Sequence, residues 1–117
     1  MRAILLSRDL LFISKIREVV TAQGHELLVI KSAETLVDTL RSAEQSGILL
    51  VDLEKAPVPL EVVAESYRGL QGSGWRCYSF FSHVRIDTGA AAESLGLGDV
   101  MPRSRFVRIL PDLFSSK

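Results

Sequence analysis

Four short groups in this sequence carry side chains able to do chemistry: Ser7-Arg8-Asp9, Asp52-Leu53-Glu54, Ser82-His83 and Pro102-Arg103-Ser104-Arg105. A carboxylate can ligate a hard divalent cation, accept charge-assisted hydrogen bonds or pair with a guanidinium. A hydroxyl can donate to that carboxylate, and an Arg competes with a metal for it because its charge is permanent and its donors form a planar fork. Read from the residues alone, Asp52 either caps its own loop or pairs with Arg8, and Ser82 either caps the next turn or contacts a ligand.

Each group follows a short apolar run. Arg2 to Leu6 is too short for a helix and reads as a strand buried on both faces. From Asp9 the apolar residues recur at helical spacing (Phe12, Ile16, Val19, Val20) until Gly24. A second strand over Glu26 to Ile30 is followed by Ser32, an N-cap for a helix carrying Leu36, Val37 and Leu40. The run Gly47 to Leu53, interrupted only by Asp52, predicts the central strand.

Pro57 and Pro59 forbid a regular helix before Leu60, after which Leu60, Val63, Ala64, Tyr67 and Leu70 form an apolar stripe. Trp75 to Phe81 predicts a fourth strand, Asp87 to Leu95 a short Ala-rich helix, Asp99 to Met101 a fifth strand, and Ser104 to Phe114 a last helix. Pro111 should shorten or kink that helix. Strands and helices thus alternate five times with short connections. This predicts one domain over residues 1–117, an α/β doubly wound fold with a five-stranded parallel sheet in the order 2-1-3-4-5 and helices on both faces, a three-layer sandwich. In such a sheet the functional crevice lies beyond the carboxyl ends of the strands, where the four polar groups fall.

Composition narrows the function classes. Fourteen basic residues balance fourteen acidic ones in 117, with 47% hydrophobic and 24% charged residues, so no overall field favours nucleic acid or an anionic membrane. Arg103, Arg105 and Arg108 are three arginines in a chain of balanced charge, and read as a solvated face or a protein contact rather than a nucleic-acid patch. The lone Cys77 can form no intramolecular disulfide and fits a small core residue in a reducing compartment. No signal peptide or membrane-length apolar segment is present, so a cytoplasmic protein is expected. Gly72-Ser73-Gly74 lacks the ending of a phosphate loop, and the first strand–helix turn has no glycine for a dinucleotide. His83 has no nearby ligand partner in sequence and reads as a structural histidine, while His25 falls in another loop.

The five strand–helix units, Ile48-Leu49-Leu50-Val51-Asp52, Phe80-Phe81-Ser82-His83 and Leu95-Gly96 together resemble response-regulator receiver domains over essentially the whole chain. The resemblance implies that Asp52 occupies the phosphoacceptor position and Ser82 the switch position. It also exposes departures. The adjacent acidic pair that holds Mg²⁺ in receivers is replaced by Ser7 and Arg8, with Asp9 one step beyond, and the Lys that ends strand five is replaced by Pro102 or Arg103.

Phosphoryl transfer relies on positioning and on neutralising the phosphoryl oxygens, and one Asp with one Ser is a poor cage for Mg²⁺. The sequence therefore predicts a degenerate receiver: a bacterial signalling module that binds a protein partner such as a histidine kinase or an output protein, without enzymatic activity of its own and with no metal or other cofactor. The site is expected to be lined by Ser7, Arg8, Asp9, Glu54, His83 and Arg103, with Arg8 standing in for the metal against Asp52. The face of helix four, strand five and helix five, with Arg103, Arg105, Phe106 and Arg108, is the expected partner or homodimer surface. The alternative is a working phosphorelay receiver, phosphorylated on Asp52, in which Ser82 steadies the phosphoryl group and Asp9 with Glu54 helps Asp52 hold Mg²⁺.

Overall fold

The computed structural model describes residues 2–41, 46–70, 74–81 and 94–114. The elements are β1 (Arg2–Leu6), α1 (Leu10–Ala22), β2 (Glu26–Val29), α2 (Ala33–Arg41), β3 (Ser46–Asp52), α3 (Leu60–Arg68), β4 (Gly74–Phe81), β5 (Asp99–Pro102) and α4 (Arg103–Leu113). All strand pairs are parallel, in the order β2-β1-β3-β4-β5. The predicted Asp87–Leu95 helix lies almost wholly outside the described residues; its last two positions, Ser94 and Leu95, are helical.

Side chains on a strand alternate between faces, and here that alternation sorts the core into two layers. Ile4, Leu6, Leu49, Val51 and Cys77 meet Leu36 and Leu40 of α2 and Val63 and Ala64 of α3. On the other face Ala3, Leu5, Ile48, Leu50, Tyr78 and Phe80 meet Phe12, Ile13, Ile16 and Val20 of α1 and Phe106 and Leu110 of α4. Cys77 is among the buried residues, and burial pushes its thiol pKa up to about 12, which leaves it protonated and unreactive.

Local chemistry sets the ends of the helices. Asp9 caps α1 by accepting from the Phe12 N–H at 3.2 Å, and Ser32 caps α2 by accepting from the Thr35 N–H at 3.1 Å. α3 starts at Leu60 directly after Pro59. α4 continues two residues past Pro111, so the proline does not end the helix.

Gly98, immediately before β5, has φ +72, and a Cβ there would strike the backbone of Cys77. The close approach seats the turn that enters β5 against β4, and β5 leads directly into α4. Gly98→Ala is expected to lose about 2–5 kcal/mol from left-handed strain and overpacking together, read as a lowered urea midpoint. A midpoint equal to wild type would show that the turn relaxes freely.

Candidate functional site

The same alternation that builds the core places the site. Asp52 follows Ile48 and Leu50 on the face toward α1 and α4, and Ser7 follows Ala3 and Leu5 onto that face, so the two polar residues continue one apolar layer past its end. The Ser7 hydroxyl donates to Asp52 Oδ2 at 2.8 Å and accepts from the Asp9 N–H at 3.1 Å. Asp52 Oδ1 accepts from the Glu54 and Lys55 N–H groups at 3.2 and 3.1 Å. A fully buried carboxylate is tolerated only when so bonded.

The remaining charge is met by Arg103, the first residue of α4. Its Nη1 donates to Asp9 Oδ2 at 3.1 Å, and its Nη2 reaches Asp52 Oδ2 at 3.5 Å, so one guanidinium bridges two carboxylates. Its carbon lies 4.2 Å from the centre of the Phe12 ring and 5.9 Å from that of Phe80, on an aromatic platform that favours a cation. Among the described residues Arg103 Nε is buried with no hydrogen-bond partner, a cost that the ring contact and the two carboxylates offset.

Asp9 sits between the helix and two cations. The Phe12 N–H lowers its pKa most; burial opposes this, while Arg103 and then Lys55, whose Nζ is 3.9 Å away, lower it further. A carboxyl whose folded pKa is depressed stabilises the fold above its unfolded value, near 4, and that contribution is lost as pH falls through the folded value. Asp9→Ala is therefore expected to be destabilised by about 1–2 kcal/mol near neutral pH. The gap to wild type should close below about pH 4. A gap that stays constant in urea titrations down to acid pH would rule out the ionised carboxylate as its source.

Several expectations change in this light. Arg8 is exposed, and its side chain makes no ion pair with Asp52; its backbone N–H donates to Lys55 O at 2.8 Å. The cation facing Asp52 is Arg103. Ser7 spends the inward-facing position of the turn, and Arg8, next in the chain, is turned away. Phe106, expected on the partner face, is fully buried against Phe80 at a ring separation of 4.4 Å. Arg105 and Arg108 are exposed on α4.

Glu54 contributes its backbone N–H to Asp52. Ser82 and His83 lie outside the described residues. His25 packs its imidazole against Phe114, 2.9 Å from the Phe114 carbonyl oxygen. Lys55, which reaches Asp9, was not singled out in the sequence; its position three residues after Asp52, in the same loop, was the available sign.

The donor set does not suit Mg²⁺. The oxygens of Asp9 and Asp52 that face each other are shared by a guanidinium, a lysine ammonium approaches from 3.9 Å, and Asp52 Oδ1 is taken by two N–H groups. A divalent cation would have to displace Arg103 from both carboxylates and sit against the Lys55 ammonium. Among the described residues no group of three or more His, Cys, Asp or Glu side chains converges on a point.

No family model matches the chain, and no curated protein matches it. Among solved structures it is similar to full-length FixJ from B. japonicum, with a TM-score of 0.72 and 13% identity over 95% of this chain and 56% of that one. It is likewise similar to the phosphorylated cyanobacterial phytochrome response regulator RcpA, with a TM-score of 0.72 and 17% identity over 96% of this chain and 89% of that one. The chain thus spans little more than half the length of FixJ. At these identities the likeness is one of fold, a five-stranded parallel α/β sheet in the order 2-1-3-4-5.

Proposed function

We propose that this chain is a pseudo-receiver: a cytoplasmic signalling module that keeps the receiver fold, works by contact with a protein partner rather than by catalysis, and does not use Mg²⁺-dependent phosphorylation. The observation that carries this reading is the bridge from Arg103 to Asp9 and Asp52. A built-in guanidinium does permanently what a metal does reversibly, neutralising the carboxylates at the crevice. A phosphoryl group arriving at Asp52 would find one of its attacking oxygens engaged by Ser7 and Arg103 and the other by two N–H groups. The partner is of the kind receivers serve, a histidine kinase or an output protein. On α4 the exposed Arg105 and Arg108 are the positions such a partner, or a second copy of the chain, would meet.

The test is an amide NMR titration with Mg²⁺, then with beryllofluoride and Mg²⁺. The expected result is no saturable shift at Asp52, Glu54 or Lys55. A Mg²⁺-dependent response that disappears in Asp52→Ala would overturn the proposal in favour of a working phosphorelay receiver.

A further inference from the structure

The end of the sheet that carries Asp52 has a second feature, which shares Ser7 with the Asp52 network but none of its charged groups. Leu10 and Leu11 open α1 with 74% and 87% of their surface exposed. Beside them lies a cleft of about 240 Å³ lined by Ser7, Arg8, Leu10, Ile13, Lys31 and Pro57. Three successive strand–helix connections meet there: Arg8 follows β1, Lys31 follows β2 and Pro57 follows β3.

The lining divides by chemistry. Leu10, Ile13 and Pro57 give it apolar carbon, and Arg8 and Lys31 give it two cations whose side chains make no ion pair or hydrogen bond among the described residues. That contrasts with Arg103 and Lys55 nearby, whose charges are engaged by Asp9 and Asp52. In a chain of zero formal charge, the lining of this cleft carries two cations and no carboxylate. The Arg8 backbone is pinned to the Lys55 carbonyl, so its guanidinium is carried on a fixed base.

An apolar slot beside two uncommitted cations selects an apolar group with negative charge next to it. The volume falls below the roughly 300–1,000 Å³ of small-molecule sites and suits one large side chain, while the exposed Leu10 and Leu11 extend the contact outward as a peptide backbone would require. We propose that this cleft docks a segment of a partner protein in which one large apolar side chain is flanked by Asp or Glu. This rests on reading the chain as a protein-interaction module and gives that module a recognition chemistry, at a surface separate from α4.

The experiment uses capped peptides of sequence Glu-Glu-Leu-Glu-Glu, Glu-Glu-Gly-Glu-Glu and Lys-Lys-Leu-Lys-Lys, and octanoate, each titrated into the amide-labelled chain. The Leu peptide with glutamates is expected to give saturable shifts at Arg8, Leu10, Ile13 and Lys31 that weaken with salt. Affinity should fall about tenfold in the double variant R8E/K31E, where two exposed attractions become repulsions. Leu10→Ser, at an exposed position that leaves the core untouched, should weaken it severalfold. Absence of shifts, equal binding of the Gly or Lys peptide, or tighter saturation by octanoate would each overturn the proposal, the last in favour of a small carboxylate. A beryllofluoride response at Asp52 would overturn the pseudo-receiver reading through different amides, so the two failures are told apart.

Discussion

Arg103→Ala is expected to lower stability by about 1–3 kcal/mol near neutral pH and, in the same variant, to open a weak site for Mg²⁺. Removing one partner of a fully buried ion pair costs about 3–5 kcal/mol because the other charge is stranded. Here the loss is smaller for two reasons. The Arg103 side chain is 30% exposed and stands 3.5 Å from Asp52, and Asp52 keeps the Ser7 hydroxyl and two N–H groups. The variant leaves Asp9 and Asp52 facing each other with Lys55 the one cation near them among the described residues, so millimolar Mg²⁺ should restore part of the stability by binding the folded state. Arg103→Lys keeps the charge without the planar fork or the stacking on Phe12, and should fall between the two. Urea denaturation with and without Mg²⁺ checks all three. An alanine variant as stable as wild type, or one indifferent to Mg²⁺, would remove the bridge from the account of this site.

How much of this was legible depends on which regularity each residue obeys. The unbroken apolar run ending in Asp52 marked β3, and the fold followed from five such runs separated by helical spacing, which is why the strand order agrees with that expected. The identity of the cation was not legible by proximity in sequence. Arg8 sits near the first strand's end, but alternation gives the inward position to Ser7. Arg103 is distant in sequence, yet side chains in a helix lean toward its N-terminus, so an Arg at the first position of α4 projects past the helix end into the crevice. Phe106 reads as a contact residue because aromatic and Arg side chains dominate interface energetics, although Phe106, Leu110 and Phe114 recur every four residues and all three are buried. Periodicity is the better guide than residue type.

Phe106→Ala is accordingly expected to be the most destabilising of the substitutions considered, at about 3–5 kcal/mol, a large share of the roughly 5–15 kcal/mol that holds a domain together. Arg105→Ala and Arg108→Ala, one and two residues away and exposed, should stay within about 0.5 kcal/mol of wild type. The Phe106 ring does more than fill volume. It stacks on Phe80, whose ring meets Phe12 edge-on at 5.2 Å, and Phe12 carries the Arg103 guanidinium. Truncating Phe106 removes the support behind that platform, so its effect should not add to that of Arg103→Ala; the double variant should be less destabilised than the sum by about 0.5–1 kcal/mol. Urea titrations of the two single variants and the double variant measure this directly. Additivity within about 0.3 kcal/mol would mean that the aromatic core and the polar site are built independently, and that Arg103 is held by Asp9 and Asp52 alone.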